Sequence, residues 1–260
     1  MKVMDYFREH NRPMPWRDDP SPYFVFVSEI MLQQTQVDRV LGMFPPFVKR
    51  FPDFRSLAEA PLSDVYALWK GLGYNRRAKY LRDAAKIIVT DFAGVLPDSP
   101  ESLVTLPGIG RNTAAAMIVY AYNTPVPYVE TNIRTVYIHH FFDDRDDVSD
   151  AEILALVEET IDTESPREWF WALMDYGTHL KKTAGNASRR SRAYRTQSSF
   201  AGSDRKIRGL IIRSVSEQEG ITEKMLLKLT ENDPRTESIT EKLVKEGLIR
   251  EEKGHYRIGE

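Results

Sequence analysis

Glu130 follows a turn whose composition suits contact with phosphate. Pro107-Gly108-Ile109-Gly110 contains two glycines without side chains, so the backbone N–H groups of this turn can approach a phosphate closely. Arg111 adds a cation, and Asn112–Tyr122 then has the Ala-rich, partly apolar pattern of a helix. Glu130 lies after a Pro-containing loop. A phosphate-binding turn followed by a single carboxylate predicts an enzyme that binds a nucleic-acid backbone and acts beside it.

Glu29 is a second carboxylate that could take part in acid–base chemistry. It lies in the segment SEIMLQQTQ, which we interpret as an apolar helix. Burial there would raise the pKa of its carboxyl group, whereas an exposed helical glutamate is the alternative. One carboxylic acid with a raised pKa can donate a proton while one ionised carboxylate stabilises positive charge, so the two groups can divide acid–base work.

Three motifs together carry a family resemblance: LPGIGRNTAAAMIVYAYNTPVPYVETN at Leu106–Asn132, SEIMLQQTQV at Ser28–Val37 and GLGYNRRAKYL at Gly71–Leu81. In their order along the chain these motifs resemble those of the helix-hairpin-helix (HhH-GPD) DNA glycosylases, and most closely the MutY-type adenine glycosylases, over about residues 13–177. The resemblance implies a mainly α, two-lobed fold with double-stranded DNA, containing a lesion or mismatch, between the lobes.

The resemblance assigns the catalytic roles. It implies that Glu29 protonates the departing base, that Glu130 stabilises the sugar cation and that Asn132 supports that carboxylate and the water. The family has aspartate at the position of Glu130, so the carboxylate here stands about 1.5 Å further from the backbone. Three interpretations stay open: a working variant, which we favour, a weakened enzyme, or an altered reaction.

Asn112 bears on strand cleavage. Bifunctional relatives have a lysine at this position, which forms a Schiff base and then nicks the strand. Asparagine cannot do so, and we therefore predict base removal by water without lyase activity. Asn112 could also cap the helix that follows.

The resemblance places Trp16, Arg17, Leu32, Asn112 and Trp171 around the extruded base. Trp171 occupies the position at which adenine glycosylases have Gln or Glu, and its indole N–H can only donate. Adenine opposite 8-oxoguanine is our first substrate prediction. The alternatives are uracil, thymine opposite guanine or hypoxanthine, and a catalytically weak lesion-binding protein.

Two groups of residues are expected to contact DNA. Gln34 and Tyr74 match wedge residues that fill the gap in the base stack, with surface or packing roles as the alternative. The hairpin residues Gly108, Gly110 and Arg111 would hold a phosphate, with a monovalent cation bound by the backbone at Leu106 and Ile109. The basic side chains expected to join them from the Thr178–Ser203 segment are Lys181, Lys182, Arg189 and Arg190.

The chain contains no cysteine. Most members of the resembled family hold an iron–sulfur cluster with four cysteines, which would fall at Lys181, Ser188, Ser191 and Gln197. None of these side chains supplies the thiolate that such a cluster requires. We therefore expect no cofactor, and no metal bound by side chains.

Helix patterns broken by Pro, Gly and Asp run through the first 200 residues. The resemblance implies that these helices form a six-helix barrel over residues 18–125 and a second lobe from residues 1–17 and 126–200. Gln197–Ser203 has the composition of a linker. Residues 201–260 then predict three helices and a β-hairpin around Lys253-Gly254, which together indicate a winged helix-turn-helix domain. This segment is too short for the Nudix-like domain usual in MutY enzymes.

Composition limits the function classes. The chain has 260 residues, 42% of them hydrophobic, and a formal net charge of −2. Its apolar runs fall short of the about 18 residues of a membrane span, and the start has no signal-peptide core. We expect a monomeric cytoplasmic protein with no membrane partner.

Overall fold

The computed structural model describes residues 2–143, 145–196, 202–218 and 220–260. These residues are mainly helical, which confirms the predicted fold class. Twelve α-helices precede the C-terminal segment in the described part of the chain: α1 (Lys2–His10), α2 (Pro15–Asp18), α3 (Pro22–Leu32), α4 (Val37–Arg50), α5 (Phe54–Glu59), α6 (Leu62–Trp69), α7 (Arg76–Asp91), α8 (Pro100–Leu103), α9 (Arg111–Tyr122), α10 (Thr131–Phe141), α11 (Asp150–Thr160) and α12 (Pro166–Thr183).

One pair of helix predictions was wrong. The sequence predicts a helix over Phe24–Phe44 and a separate one over Phe47–Phe51, but α3 ends at Leu32 and α4 runs unbroken to Arg50. Gln34 takes a φ of 54°, which a helix cannot contain. Conversely, α4 continues through Pro45 and Pro46, which lie on its exposed side. Full burial of Phe44 and Phe47 beside them offsets the cost of proline inside a helix.

The C-terminal residues form the winged-helix fold that the sequence predicts. Helices α13 (Asp204–Glu217), α14 (Glu223–Leu229) and α15 (Thr236–Lys245) are joined by three antiparallel strands, β1 (Ile221–Thr222), β2 (Ile249–Glu252) and β3 (His255–Ile258). The strand order is β1-β3-β2, with Ile249 opposite Ile258 and Ile221 opposite Tyr256. Of the predicted linker, residues 197–201 lie outside the described residues.

The chain separates into two compact units. The first contains Met1–Glu29, Pro97–Thr105 and Ile109–Thr196, and the second contains Ile30–Leu96, Leu106–Gly108 and Gln197–Glu260. The division predicted from the sequence, at residues 18, 126 and 201, stays a prediction.

Each unit has its own core. In the first unit, α12 packs on α1, α9 and α10, and the Tyr128 ring stacks on Phe170 at 4.6 Å. In the second unit, Phe47 contacts Phe51 and Trp69 edge-on, with ring centroids 5.1 and 6.1 Å away. Burial of such apolar surface is the main force that holds these helices together. No helix among the described residues is long and apolar enough to cross a membrane.

Candidate active site

Glu29 lies on α3, a helix that is apolar on nearly every side. Its neighbours Val27, Ser28 and Ile30 are fully buried, whereas Glu29 itself keeps part of its surface open to solvent. The pKa of Glu29 is raised to about 8, chiefly by burial of the carboxyl group and then by the charge of Glu130, while the charge of Arg17 acts in the opposite direction. Glu29 is therefore mostly protonated at neutral pH and can donate a proton.

Glu130 is the N-cap residue of α10. Its Oε1 atom accepts a hydrogen bond from the Ile133 backbone N–H at 3.0 Å and another from the Asn132 N–H. Burial raises the pKa of Glu130, while these N–H groups and the charge of Lys181 lower it. A helix N-terminus stabilises a carboxylate in this position. The longer side chain thus folds back onto the helix that follows it.

Asn132 links Glu130 to α12. Lys181 Nζ donates to Asn132 Oδ1 at 2.8 Å, and Lys181 also lies close enough to Glu130 to lower its pKa. Gly177 permits the close approach of the two helices, because a Cβ atom there would lie 2.6 Å from the Asn132 carbonyl oxygen. The sequence predicts a DNA contact for Lys181, but its ammonium group is bound beside the carboxylate.

Tyr120 and Tyr128 form a buried wall near both carboxylates. Their hydroxyl groups are 2.8 Å apart and hydrogen-bonded. The charges of Glu29 and Glu130 both contribute to the raised pKa of each tyrosine, after the larger effect of burial. The ring of Tyr120 stacks on Trp171 with centroids 6.1 Å apart. Sequence reasoning missed this pair, since two tyrosines in an apolar stretch carry no chemical signature.

Arg17 is fixed by a buried carboxylate that the sequence did not single out. Its guanidinium group donates to both oxygens of Asp175, at 2.8 and 3.0 Å, and Arg12 Nε donates to the same carboxylate at 2.7 Å. The Arg17 guanidinium carbon lies 5.5 Å from the centre of the Trp171 ring. The fork of hydrogen bonds therefore holds Arg17 where its charge acts on Glu29.

Trp16 and Asn112 both belong to the first unit, where Trp16 is buried and Asn112 is exposed. Trp16 is buried in α2, with 5% of its surface exposed. The suggestion that Asn112 caps α9 is wrong, because Gly110 is the N-cap residue and no side chain caps it. Instead, Asn112 Nδ2 donates to the Val129 carbonyl at 2.7 Å. The start of α9 is thereby tied to the residue that precedes Glu130.

The two glycines of the hairpin turn differ in what they require. Gly108 has a φ of 78°, and a Cβ atom there would lie 3.0 Å from the Tyr80 side chain. Gly110 has an ordinary φ of −90°, and nothing lies within 4 Å of a Cβ atom built on it. Leu106 and Ile109 are buried, and Arg111 is exposed. Only at Gly108 does the fold itself demand glycine.

The wedge candidates share an unusual backbone. Gln34 and Tyr74, both in the second unit, have φ values of 54° and 48°. Such left-handed conformations cost free energy for residues other than glycine, and they concentrate at functional sites. Gln34 is exposed, and the Tyr74 hydroxyl accepts a hydrogen bond from Arg205 at 2.9 Å. Leu32, the last residue of α3, is half-buried in the same unit.

The loop at the family's cluster position is held by protein contacts. Val148 pairs with this loop through backbone hydrogen bonds of 3.0 Å to Arg190 and Arg192. Ser188 bonds to Asn186 at 2.6 Å, and Arg190 donates to the Ile138 carbonyl at 3.3 Å. Lys181, Ser188 and Ser191 do not fit an iron–sulfur cluster, and Gln197 lies outside the described residues. Lys182 and Arg189 are exposed, as a DNA contact would require.

Comparison with known proteins defines the class. Residues 27–161 match the model of the HhH-GPD superfamily of base excision DNA repair proteins. An adenine DNA glycosylase of Mycolicibacterium smegmatis is 32% identical over 232 residues, which are 82% of this chain and 78% of that protein. This chain belongs to the HhH-GPD superfamily.

Other relatives agree over shorter stretches. An adenine DNA glycosylase of Mycobacterium tuberculosis strain H37Rv is 44% identical over 135 residues, which are 52% of this chain and 44% of that protein. One from Buchnera aphidicola subsp. Baizongia pistaciae is 34% identical over 180 residues, 67% of this chain and 50% of that one. The chain thus spans about half the length of these curated relatives.

Solved structures share the fold. A thermostable thymine-DNA glycosylase superposes with a TM-score of 0.60 at 23% identity, covering 67% of this chain and 82% of that one. Endonuclease III in a trapped covalent intermediate with DNA gives 0.58 at 18% identity, covering 68% and 82%. At these identities the likeness concerns the fold alone.

Proposed function

We propose that this protein is a monofunctional DNA glycosylase of base excision repair, which extrudes a mispaired or damaged base from duplex DNA and hydrolyses its N-glycosidic bond. The observation that carries the proposal is the environment of Glu29, whose pKa is raised to about 8. An acid that is protonated at neutral pH beside a second carboxylate suits protonation of a departing base.

Glu130 would stabilise the positive charge that develops on the sugar. Burial raises the pKa of Glu130, but two backbone N–H groups that donate to its carboxylate and the nearby charge of Lys181 oppose this effect and favour the ionised form. Glu130 has one methylene group more than the aspartate of the family. Because its side chain folds back onto α10, this extra length need not move the carboxylate further from the backbone. We therefore favour a working variant over a weakened enzyme.

The first substrate we propose is adenine opposite 8-oxoguanine. Its support is the similarity to several proteins named adenine DNA glycosylase. A mismatched or deaminated base is the second candidate, and Trp171 favours it. The indole, stacked on Tyr120 and covered by Arg17, offers a flat surface with few hydrogen-bonding groups.

We further propose that the reaction needs neither a lysine nucleophile at position 112 nor an iron–sulfur cluster. The Asn112 amide is bound to the Val129 carbonyl and has no nucleophilic amine. The loop from Asn186 to Arg192 is fastened by hydrogen bonds of its own.

A panel of duplexes tests the proposed function. Duplexes containing A:8-oxoguanine, G:T, G:U or hypoxanthine pairs are incubated with the protein and then treated with hot alkali, which cleaves abasic sites. Cleavage of one duplex would identify the substrate. Retained binding without cleavage of any duplex would contradict the enzyme hypothesis and favour a lesion-binding protein.

A further inference from the structure

The second unit contains a large cleft that the catalytic carboxylates do not explain. Its volume is about 1350 Å³, and its lining combines the loop between α6 and α7 with one side of α13 from the winged-helix domain. Pockets that enclose small ligands usually measure about 300–1,000 Å³. The dimensions therefore suit a segment of a polymer.

The lining of this cleft is strongly cationic. The segment from α4 to α7 contributes Arg39, Lys70, Arg76 and Arg77, and α13 contributes four more cations. These are Arg205, Lys206, Arg208 and Arg213. Among the described residues that line the cleft, none is acidic. A concentration of one sign of charge along a groove attracts a polyanion.

Two glutamates outside the lining pair with four of its eight cations, so the lining keeps a net positive charge. Glu217 accepts from Lys70 at 2.8 Å and from Arg213 at 3.3 Å. Glu246 pairs with both Arg76 and Arg208. These bridges join the winged-helix domain to the loop and helices of the same unit, so both walls of the cleft are held in place.

Arg39 and Lys206 are exposed on opposite walls, and no described acidic side chain pairs with either. The Tyr66 hydroxyl lies at the base of the lining, buried and without a hydrogen-bond partner among the described residues. Buried hydroxyl groups are normally paired. The two cations and the hydroxyl group are therefore available to bind an anionic ligand.

The cleft also contains both wedge candidates. Gln34 and Tyr74 belong to its lining, and Arg205 of α13 donates to the Tyr74 hydroxyl at 2.9 Å. By contrast, the exposed side of α15 carries both signs of charge, on Glu237, Glu241, Lys242 and Lys245. In helix-turn-helix domains that read DNA, the recognition helix normally enters the major groove. Here the residues of α13 that line the cleft include four cations and no carboxylate.

We infer that this cleft binds the sugar-phosphate backbone of duplex DNA, so that the winged-helix domain contributes to DNA binding through α13. The inference rests on the proposed function, since it takes DNA as the partner. It assigns the domain a sequence-independent role: phosphates contact the cations of both walls.

The test is charge reversal on the two walls. The double variant Arg39→Glu with Lys206→Glu is compared with Lys242→Glu with Lys245→Glu, which makes the same change of charge on α15. Binding of an undamaged duplex is measured by fluorescence anisotropy over a series of salt concentrations. All proteins carry Glu29→Gln, and thermal unfolding verifies that each variant is folded.

We expect the cleft variant to raise Kd at least tenfold and to reduce the slope of log Kd against log salt by about 0.9 for each phosphate that the protein no longer neutralises. The α15 variant should change Kd less than threefold. Equal effects of the two variants, or an unchanged salt slope in the cleft variant, would overturn the inference. Excision by the unmodified protein decides the proposed function separately, since binding through the cleft can fail while excision persists.

Discussion

At the scale of residues, two glutamates are given different chemistry by what surrounds them. Glu29 lies on an apolar helix and has its pKa raised to about 8, whereas Glu130 accepts two backbone N–H groups at the start of α10. The sequence predicts the burial of Glu29, because its helix is apolar. It did not predict the cap formed by Glu130, which depends on how the side chain folds back.

The environment of Glu29 predicts the pH dependence of excision. Since the general acid works in its protonated form, the single-turnover rate should fall as pH rises through about 8, by about tenfold per unit well above it. Arg17→Gln should move this fall to higher pH, because Arg17 lowers the pKa of Glu29. Rates measured from pH 5 to 10 verify both; a constant rate up to pH 9.5 in the unmodified protein would contradict the assignment.

Asn112 predicts the absence of a covalent intermediate. Incubation with duplex DNA containing an abasic site and borohydride should trap no protein–DNA complex, since no amine occupies position 112. Gel electrophoresis under denaturing conditions gives the result. A trapped complex that disappears in Lys181→Gln would show that the half-buried amine beside Glu130 acts as a nucleophile, and that the protein is not monofunctional.

At the scale of elements, the sequence predicts local secondary structure better than it predicts contacts between residues far apart in the chain. Helices and the C-terminal hairpin follow from apolar periodicity. Asp98-Ser99-Pro100-Glu101 has the sequence pattern of a helix cap with proline in the first turn, and Ser99 is indeed the N-cap residue of α8. The Arg12–Asp175 bridge joins residues 163 positions apart. Such pairs, and the break at Gln34, depend on contacts that a single sequence does not display.

Because α10 and α12 approach each other closely, we expect substitution of Gly177 to lower the stability of the protein. Gly177→Ala should destabilise the protein by about 1–3 kcal/mol, because the added Cβ atom would lie 2.6 Å from a backbone oxygen of Asn132. Excision should slow as Asn132 shifts beside Glu130. The control is Gly42→Ala on α4, where nothing lies within 4 Å and a gain of about 0.5–1 kcal/mol is expected. Urea unfolding measures both; equal stability changes would contradict the packing argument.

Substitutions at the two glycines of the hairpin turn should distinguish effects on stability from effects on DNA binding. Gly110→Ala should leave the thermal midpoint unchanged, since its φ is ordinary and its surroundings are open, yet raise the Kd for duplex DNA about tenfold by obstructing a phosphate. Gly108→Ala should lower both stability and affinity, owing to its φ of 78° and the Tyr80 side chain. Unaltered DNA binding by Gly110→Ala would mean that no phosphate approaches that backbone closely.

At the scale of the whole molecule, the distribution of charge matters more than its sum. The formal net charge of −2 is not that of an evident DNA-binding protein. The cations nevertheless concentrate in the cleft of the second unit, where α13 meets the loop after α6. The sequence predicts the winged-helix domain from its three helices and hairpin, but the cationic side of α13 emerges only when the helix is packed.

The most direct test of the account is release of the base by the unmodified protein and by Glu29→Gln. Both are incubated in excess over the duplex that the panel identifies, and the free base and abasic sites are quantified by mass spectrometry. We expect one free base per abasic site from the unmodified protein and at least a thousandfold lower rate from Glu29→Gln, with Kd for the duplex within threefold. Glu158→Gln, an exposed position on α11, is the matched control and should excise normally. Normal excision by Glu29→Gln would contradict the central claim.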